Sequence, residues 1–402
     1  MSDDQPGQGP LGGLRVVEFA QVIAGPLAGT LLADLGAQVI HVEPPGTGDD
    51  ARRMGPTKAG HALWWKVLAR NKRSVTLDLR REEAGPLVKK LLGWADVVIV
   101  TFRAGTAQRF GLDWESVRQV NPSAILLQIT GYGATSSRKD EPGFGKMGEA
   151  RSGVVHLTGF PDGPPVHTGF SHADSVTGLM GAFAVTAALH RRNQDPQRRG
   201  EWIDLALSDT LFRLIEWQAI LYDQLGVVPN RAGNRLAVAP GAVINTYQSA
   251  DGDWITVTSA TPKSVANIAA MLGLPEGEYS TTEQQQARRH ELDAALITWI
   301  TDKSTDAALK AMIEADVVAA RVFDISDIFE DDVYRERESI VTVDDDDLGP
   351  VRMQDVVPRL HLNRGRVWRT GASLGADTDL VLKQWLGVSG DVIDELREKG
   401  IV

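Results

Sequence analysis

Apolar residues in the first third of the chain fall in short runs that alternate with amphipathic stretches. LRVVEFA (14–20) is a run of buried-strand type, and PLAGTLLADLGA (26–37) has helical spacing with Pro26 near its first turn. QVIHVE (38–43) follows as a second strand, and a strand–helix–strand unit of this length implies parallel pairing. SVTLDL (74–79), a helix over 82–93, DVVIVTF (96–102), a helix near 106–118 and AILLQIT (124–130) continue the alternation. The pattern predicts an open, doubly wound parallel α/β sheet of Rossmann-like kind. A helix beginning near Asp174 and WIDLALSDTLFRLIEWQAIL (202–221) extend the same layer.

Beyond Gly226 the pattern changes. APGAVINTYQSADGDWITVTSA (239–260) reads as a hairpin turning at Ala250–Asp253, and a charged helical stretch follows over 282–315. These make a smaller α+β domain. After about residue 336 a second hairpin turns around DDDDLG (344–349), and two helices follow near 376–386 and 390–399. The acidic run lacks the ligand spacing of a cation-binding loop and reads as a solvated turn.

At 402 residues the chain exceeds the usual single core, so more than one domain is expected. Its net charge of −11 argues against binding to nucleic acid or anionic membranes. The absence of Cys removes disulfides, thiolate nucleophiles and every Cys-based metal site. MSDDQPGQGP has no apolar segment of signal-peptide type, and no run approaches a membrane span, so a cytoplasmic enzyme is expected.

Several segments carry candidate chemistry. In TGFPDGPPVHTGFSHADSVTGLMGA (158–182) a Gly/Pro-rich loop gives way at Asp174 to a helix with Gly178, Gly181, Ala182 and Ala188 at helical spacing. Asp174 reads as the N-cap of a helix that packs closely, held ionised by the helix dipole; an ordinary capping role is the alternative. Residues 51–77 contain seven Lys or Arg and no acid, interleaved with Trp64 and Trp65. A polyanion with a flat ring, such as coenzyme A, and a solvated basic linker are both open readings. Gly143-Phe144-Gly145-Lys146-Met147-Gly148 matches G-x-G-x-x-G but does not follow the first strand, where the chain has QVIAGP, so NAD is not expected. Gly169-Phe170-Ser171-His172-Ala173 fails the nucleophile-elbow pattern, and the eight scattered His offer no metal spacing.

The chain resembles the class III CoA-transferases, the family of formyl-CoA transferase, carnitine CoA-transferase and the bile-acid-inducible proteins. The resemblance runs through GLRVVEFAQVIAGPLAGTLLADLGAQVIHVEPPGTGD (13–49), RNKRSVTLDLR (70–80), GLDWESVRQVNPSAILLQITGYG (111–133), TGFPDGPPVHTGFSHADSVTG (158–178) and LGADTDLVLKQWLGVSGDVIDELREKGIV (374–402). It implies a CoA-transferase that carries CoA from an acyl-CoA donor to a carboxylic acid, with Asp174 as nucleophile passing through an aspartyl anhydride and an aspartyl-CoA thioester. It also implies CoA contacts at Val22, Ile23 and Ala24, at Leu77 and Arg80, at Thr101, Phe102, Arg103 and Arg109, and in the loop Gly143, Phe144 and Lys146. The CoA thioester is then a substrate, with no bound cofactor and no metal. The implied assembly is an interlocked homodimer. The implied large domain takes residues 1–212 and 336–402, with a linker over 213–232 and the small domain over 233–335.

Departures from the family pattern bear on the substrate. Met54 stands where formyl-CoA transferase has Trp, Ile23 where it has Gln, and Leu236–Gly241 where it has a glycine lid. An oxalate enzyme is therefore not expected, and a larger or less polar acid is. The related racemases carry a catalytic His where this chain has Phe144, which removes their second base. An acyl-CoA racemase and a CoA-binding protein without chemistry remain as alternative readings.

Overall fold

The computed structural model describes residues 8–236 and 238–402. The N-terminal stretch through Gly7, and Ala237 of the segment 236–241, lie outside the described residues. Six strands make one parallel sheet: β1 Arg15–Phe19, β2 Gln38–Glu43, β3 Lys72–Thr76, β4 Val97–Val100, β5 Ile125–Thr130 and β6 Glu201–Ala206. Their order is β3-β2-β1-β4-β5-β6, every neighbouring pair parallel.

Side chains alternate across this sheet with period two, and both faces are covered. Val16, Val39, Val97, Ile99 and Leu127 pack on one side against α1 (Ala24–Asp34) and against the long helix at 172–194. Val17, Ile40, Val75, Val98 and Leu126 pack on the other side against α2 (Gly85–Trp94) and the closing residues Val381, Leu382, Ile393 and Leu396. Two more helices complete what the site needs: α3 (Gly145–Arg151) and α4 (His172–Gln194).

Three elements differ from the sequence expectation. Residues 201–206 are a strand at the sheet edge, whose Glu-Trp-Ile-Asp-Leu-Ala run continues directly into the helix Leu207–Leu214. The single helix expected near 106–118 is two, Ala104–Arg109 and Trp114–Val120. Gly111 breaks it at φ +68, and the Asp113 carboxylate restarts it by accepting from the N–H groups of Glu115 and Ser116. Where a linker is expected, Glu216–Leu225 is helical.

The chain divides into two compact units, one from residues up to Val154, Thr168–Glu216 and Arg335–Val402, the other from Val155–His167 and Trp217–Tyr334. The second unit has an antiparallel sheet of β7 (Val243–Gln248), β8 (Trp254–Ser259) and β9 (Ala319–Arg321), with β8 central. Helices α5 (Pro262–Met271), α6 (Arg289–Thr301) and α7 (Thr305–Glu314) bury Val265, Leu292, Leu296, Ile300 and Met312 against it.

The final segment of the first unit returns to the sheet. A hairpin of β10 (Ile340–Asp345) and β11 (Gly349–Gln354) precedes it, and α8 (Gly390–Glu398) closes it. Along the free edge of β3, Ser74 N–H donates to Asp377 Oδ2 at 3.0 Å and Thr76 N–H donates to Thr378 Oγ1 at 3.0 Å. Just past the strand, Asp78 N–H donates to the Ile401 carbonyl at 2.8 Å.

The basic segment 51–77 is largely built into the fold rather than a solvated linker. Five of its cations are paired with carboxylates from elsewhere in the chain: Arg52 with Glu43 at 2.6 Å, Lys66 with Asp345 at 2.9 Å, Arg70 with Asp34 at 2.6 Å, Lys72 with Glu18 at 2.6 Å, and Arg73 with Asp377 at 2.8 Å. Lys66, Arg70 and Lys72 are buried, so the charges neutralise acids that the fold takes out of water. The acidic run is likewise not simply a solvated turn, because buried Asp345 and its neighbour Asp347 both hold Lys66. Of the two adjacent tryptophans, Trp65 is core and lies under the Arg52 guanidinium, 3.9 Å from its carbon.

Candidate active site

Strand order reverses between β1 and β4, so the chains leaving these two strands turn in opposite directions and open a crevice at their C-terminal ends. A cavity of about 340 Å³ fills it. Val22, Ile23 and Ala24 line it from the turn after β1, and Thr101, Phe102 and Arg103 from the turn after β4. Gly143, Phe144 and Asp174 line it from the α3 and α4 side, with the Phe144 ring exposed. Gln21 and Phe102 also border a neighbouring cavity of about 300 Å³, which carries Leu77 and Arg80. Arg80 is exposed there and donates from Nε to Asp78 at 2.8 Å.

Two expected residues lie apart. Arg109 covers Phe110, its guanidinium carbon 4.9 Å from the ring centre, and borders neither cavity. Lys146 lines a third cavity of about 750 Å³, beside Ile23, Ser171 and Ser175. Its ammonium is fully engaged: it reaches both oxygens of Glu149 at 3.0 Å and the carbonyls of Thr168 and Phe170 at 3.0 Å. Lys146 thus ties the loop ahead of α4 to α3.

Asp174 is not the cap of its helix. Ser171 holds the cap position, and Asp174 is the third residue of α4, inside the first turn and half-buried. Close packing of small residues sets its place. A Cβ on Gly178 would meet the Ala24 carbonyl oxygen at 2.9 Å, which lets α4 lie against α1. A Cβ on Gly145 would stand 2.0 Å from Asp174 Oδ2, so only glycine leaves room for the carboxylate at the start of α3.

The electrostatics also differ from the sequence expectation. Burial pushes the Asp174 carboxyl up, the Glu149 carboxylate adds to this, and Lys146 opposes it, leaving it at about 6 against an ordinary 3.8. A helix N-terminus supplies roughly 0.3–1 kcal/mol to an anion. A rise of two units corresponds to about 2.7 kcal/mol in the other direction. Desolvation and a like charge therefore outweigh the dipole, and the carboxylate is poised to titrate near neutrality rather than locked as an anion.

The turn that faces Asp174 is strained. Val22 has φ +66, a left-handed conformation that a β-branched residue adopts at a cost of about 1–3 kcal/mol. The next residue, Ile23, caps α1 with no side-chain hydrogen bond to the helix N-terminus. The first N–H groups of α1 are therefore not satisfied by a cap.

Sequence reasoning missed Glu149 and Asp49. Glu149 stands four residues beyond Gly145, and nothing in its spacing distinguishes it from a surface acid; the fold buries it. Asp49 ends the GTGD run and is also buried, where it accepts from Val22 N–H at 3.0 Å. Glycines before a lone acid are the only signal it carries. Among the described residues, no group of three or more His, Cys, Asp and Glu is placed to hold a metal ion, and no helix is long and apolar enough to cross a membrane.

The family model described as CoA-transferase family III matches residues 11–378. A succinyl-CoA–D-citramalate CoA-transferase of Chloroflexus aurantiacus is 37% identical over 408 aligned residues, covering 100% of both chains. The beta subunit of a succinyl-CoA–L-malate CoA-transferase from the same organism is 36% identical over 98% of each chain. The crystal structure of a CAIB/BAIF family protein from Brucella suis superposes with a TM-score of 0.81 at 31% identity, covering 94% of this chain and 100% of that one.

Proposed function

The chain belongs to CoA-transferase family III, and we propose that Asp174 is the carboxylate through which it works. As a CoA-transferase it moves CoA from an acyl-CoA donor to a carboxylic acid acceptor. The observation that carries the role of Asp174 is its position: a half-buried carboxylate at a switch-point cavity, with Gly145 leaving it free of a side chain in front.

The proposed sequence balances without a proton or a cofactor. The Asp174 carboxylate attacks the thioester carbonyl, the C–S bond breaks, and CoA leaves as thiolate, forming an acyl anhydride on Asp174. The thiolate attacks the aspartyl carbonyl and expels the donor acid, leaving an aspartyl-CoA thioester. The acceptor carboxylate repeats the exchange: it attacks that thioester, releases thiolate and forms a second anhydride. The thiolate then takes the acceptor acyl group and restores the Asp174 carboxylate. Each tetrahedral oxyanion needs donors, and the free N–H groups of Ile23 and Ala24 at the start of α1 are the assigned ones.

CoA would run along the crevice. The pantetheine and thioester would lie against Val22, Ile23 and Ala24 and under Gly143 and Phe144, and the nucleotide toward Thr101, Phe102, Arg103, Leu77 and Arg80. Lys146 would act by holding the 168–170 loop, and Arg109 from outside the two cavities. The donor is proposed to be succinyl-CoA and the acceptor a short dicarboxylic acid, since both curated relatives described above carry succinyl-CoA in their names. Of the larger or less polar acid expected from the sequence, this keeps the larger and gives up the less polar. The working form is proposed to be the interlocked homodimer, in the cytoplasm.

Incubation with succinyl-CoA and then hydroxylamine is expected to mark Asp174, read by peptide mass spectrometry. Asp174→Ala is expected to abolish transfer while CoA binding and the fold persist. Full activity in that variant would refute the mechanism. Deuterium incorporation at the acyl Cα without any acceptor acid would favour the racemase reading instead.

A further inference from the structure

We propose that Asp49 is a positioning residue for the transfer reaction: its buried carboxylate latches Val22 in the left-handed conformation that presents the α1 N-terminus to Asp174. The inference rests on the reading of Asp174 as nucleophile.

The latch is built from buried charges. Val22 N–H donates to both oxygens of Asp49, at 3.0 and 3.1 Å. Asp49 is 0% exposed, and its own N–H donates to Glu43 Oε2 at 2.9 Å. Behind it His41 stands with Nε2 3.4 Å from Asp49 Oδ2 and Nδ1 2.6 Å from Glu18 Oε1. Lys72 Nζ closes the chain at 2.6 Å from the same Glu18 oxygen. Glu18, His41 and Ser74 occupy one rung across β1, β2 and β3, so the sheet itself sets the spacing.

Both ends of the turn are held by this network. Lys72 Nζ also donates to the Pro26 carbonyl at 2.6 Å, in the first turn of α1. Gln21 N–H donates to Thr101 Oγ1 at 3.1 Å, just past β4 across the switch point. The strained residue therefore lies between fixed points; its side chain packs against the cluster that holds Ala51 and Trp65, and its N–H is held by Asp49. Alternating signs from Lys72 through Glu18 and His41 to Asp49 keep each buried charge compensated. A core that needed only packing would use apolar residues here, as β1 and β2 do in the pairs Val16–Val39 and Val17–Ile40. The cost of four buried ionisable groups is explained if they fix a backbone conformation that the chain does not favour.

The test compares Asp49→Ala, Asp49→Asn and the double variant Asp49→Ala/Val22→Gly, using succinyl-CoA as donor. Three readouts are taken: kcat and KM for transfer, CoA binding by calorimetry, and the hydroxylamine-trapped adduct on Asp174. Asp49→Ala is expected to lose roughly 100-fold in kcat, the scale of an ångström-level misplacement, with KM and CoA affinity within about threefold. Asp49→Asn keeps one acceptor and is expected to lose about tenfold; it carries the test if the alanine variant does not fold. Glycine accepts the left-handed conformation without strain, so Val22→Gly is expected to recover about tenfold in the Asp49→Ala background.

Undiminished kcat in Asp49→Asn overturns the inference. So does a loss in Asp49→Ala that Val22→Gly does not relieve, or one matched by an equal loss of CoA binding. A wild-type protein that releases CoA but forms no adduct on Asp174 overturns the nucleophile reading first, and this inference with it.

Discussion

Lowering the pH from 7 to 5 is expected to slow acyl capture by Asp174 about tenfold. The carboxyl sits near 6 because burial and Glu149 disfavour its charged form more than Lys146 favours it. Only the ionised carboxylate attacks the thioester, so the rate follows its fraction: about nine-tenths at pH 7 and about one-tenth at pH 5. A carboxylate at its ordinary value would stay more than about nine-tenths ionised over the same range. The two cases are therefore separated by most of a decade. The assay is single-turnover release of CoA thiol from succinyl-CoA in a constant-ionic-strength buffer series, quenched and read with a thiol reagent. Stability gives an independent check with the opposite sign. A carboxyl raised in the folded state binds its proton more tightly there, so its ionisation lowers stability as pH rises from about 4 through 6. Two units amount to about 3 kcal/mol at neutral pH, and partial solvent exposure reduces this to on the order of 1–2 kcal/mol. Asp174→Asn is thus expected to be inactive yet more stable than wild type at pH 7, with the gain roughly halved at pH 5. A rate that stays flat down to pH 4.5, or an Asp174→Asn protein no more stable than wild type, refutes the electrostatic argument.

Gly145→Ala puts a methyl group where a Cβ would meet Asp174 Oδ2 at 2.0 Å, and is expected to lower kcat by roughly 100-fold with circular dichroism and CoA binding retained. Lys66→Met leaves Asp345 and Asp347 without their shared cation, both now held at 2.9 and 2.6 Å. Denaturant unfolding is expected to show a loss of about 3 kcal/mol for this variant, with KM for the acyl-CoA unchanged.

The doubly wound sheet was legible because its inner strands β4 and β5 are largely apolar runs buried on both faces, a pattern that depends on neighbours only through burial. Strand β2 was read with its observed ends, Gln38–Glu43. Strand β6 was not, because Trp202, Ile203 and Leu205 run without a break into a helical pattern, and its pairing with β5 is set across 76 residues of sequence. The charge of the 51–77 segment was visible and its purpose was not: Asp34, Asp345 and Asp377 lie far away in the chain, and no local pattern announces which acids will be buried with it. Asp174 was singled out by a change of texture from loop to small-residue helix. Its raised proton affinity was hidden, since it arises first from burial in the cavity wall and then from Glu149 on another helix. Local propensity marks elements and ends; the sign of an electrostatic balance needs the fold.

The closing segment along β3 has a consequence for how the protein is made. Ser74 and Thr76 find acceptors for their outward N–H groups only in Asp377 and Thr378, some three hundred residues further on. A ribosome adding roughly 5–20 residues per second needs on the order of half a minute to supply them. During that time the nascent sheet carries an open, pairing-competent edge of the kind that recruits other strands. The edge strand reads Lys-Arg-Ser-Val-Thr; Lys72 meets Glu18, made before it, whereas Arg73 waits for Asp377 and its charge repels like strands until then. The cation that neutralises Asp377 in the finished protein thus serves first as a guard against aggregation of the unfinished one.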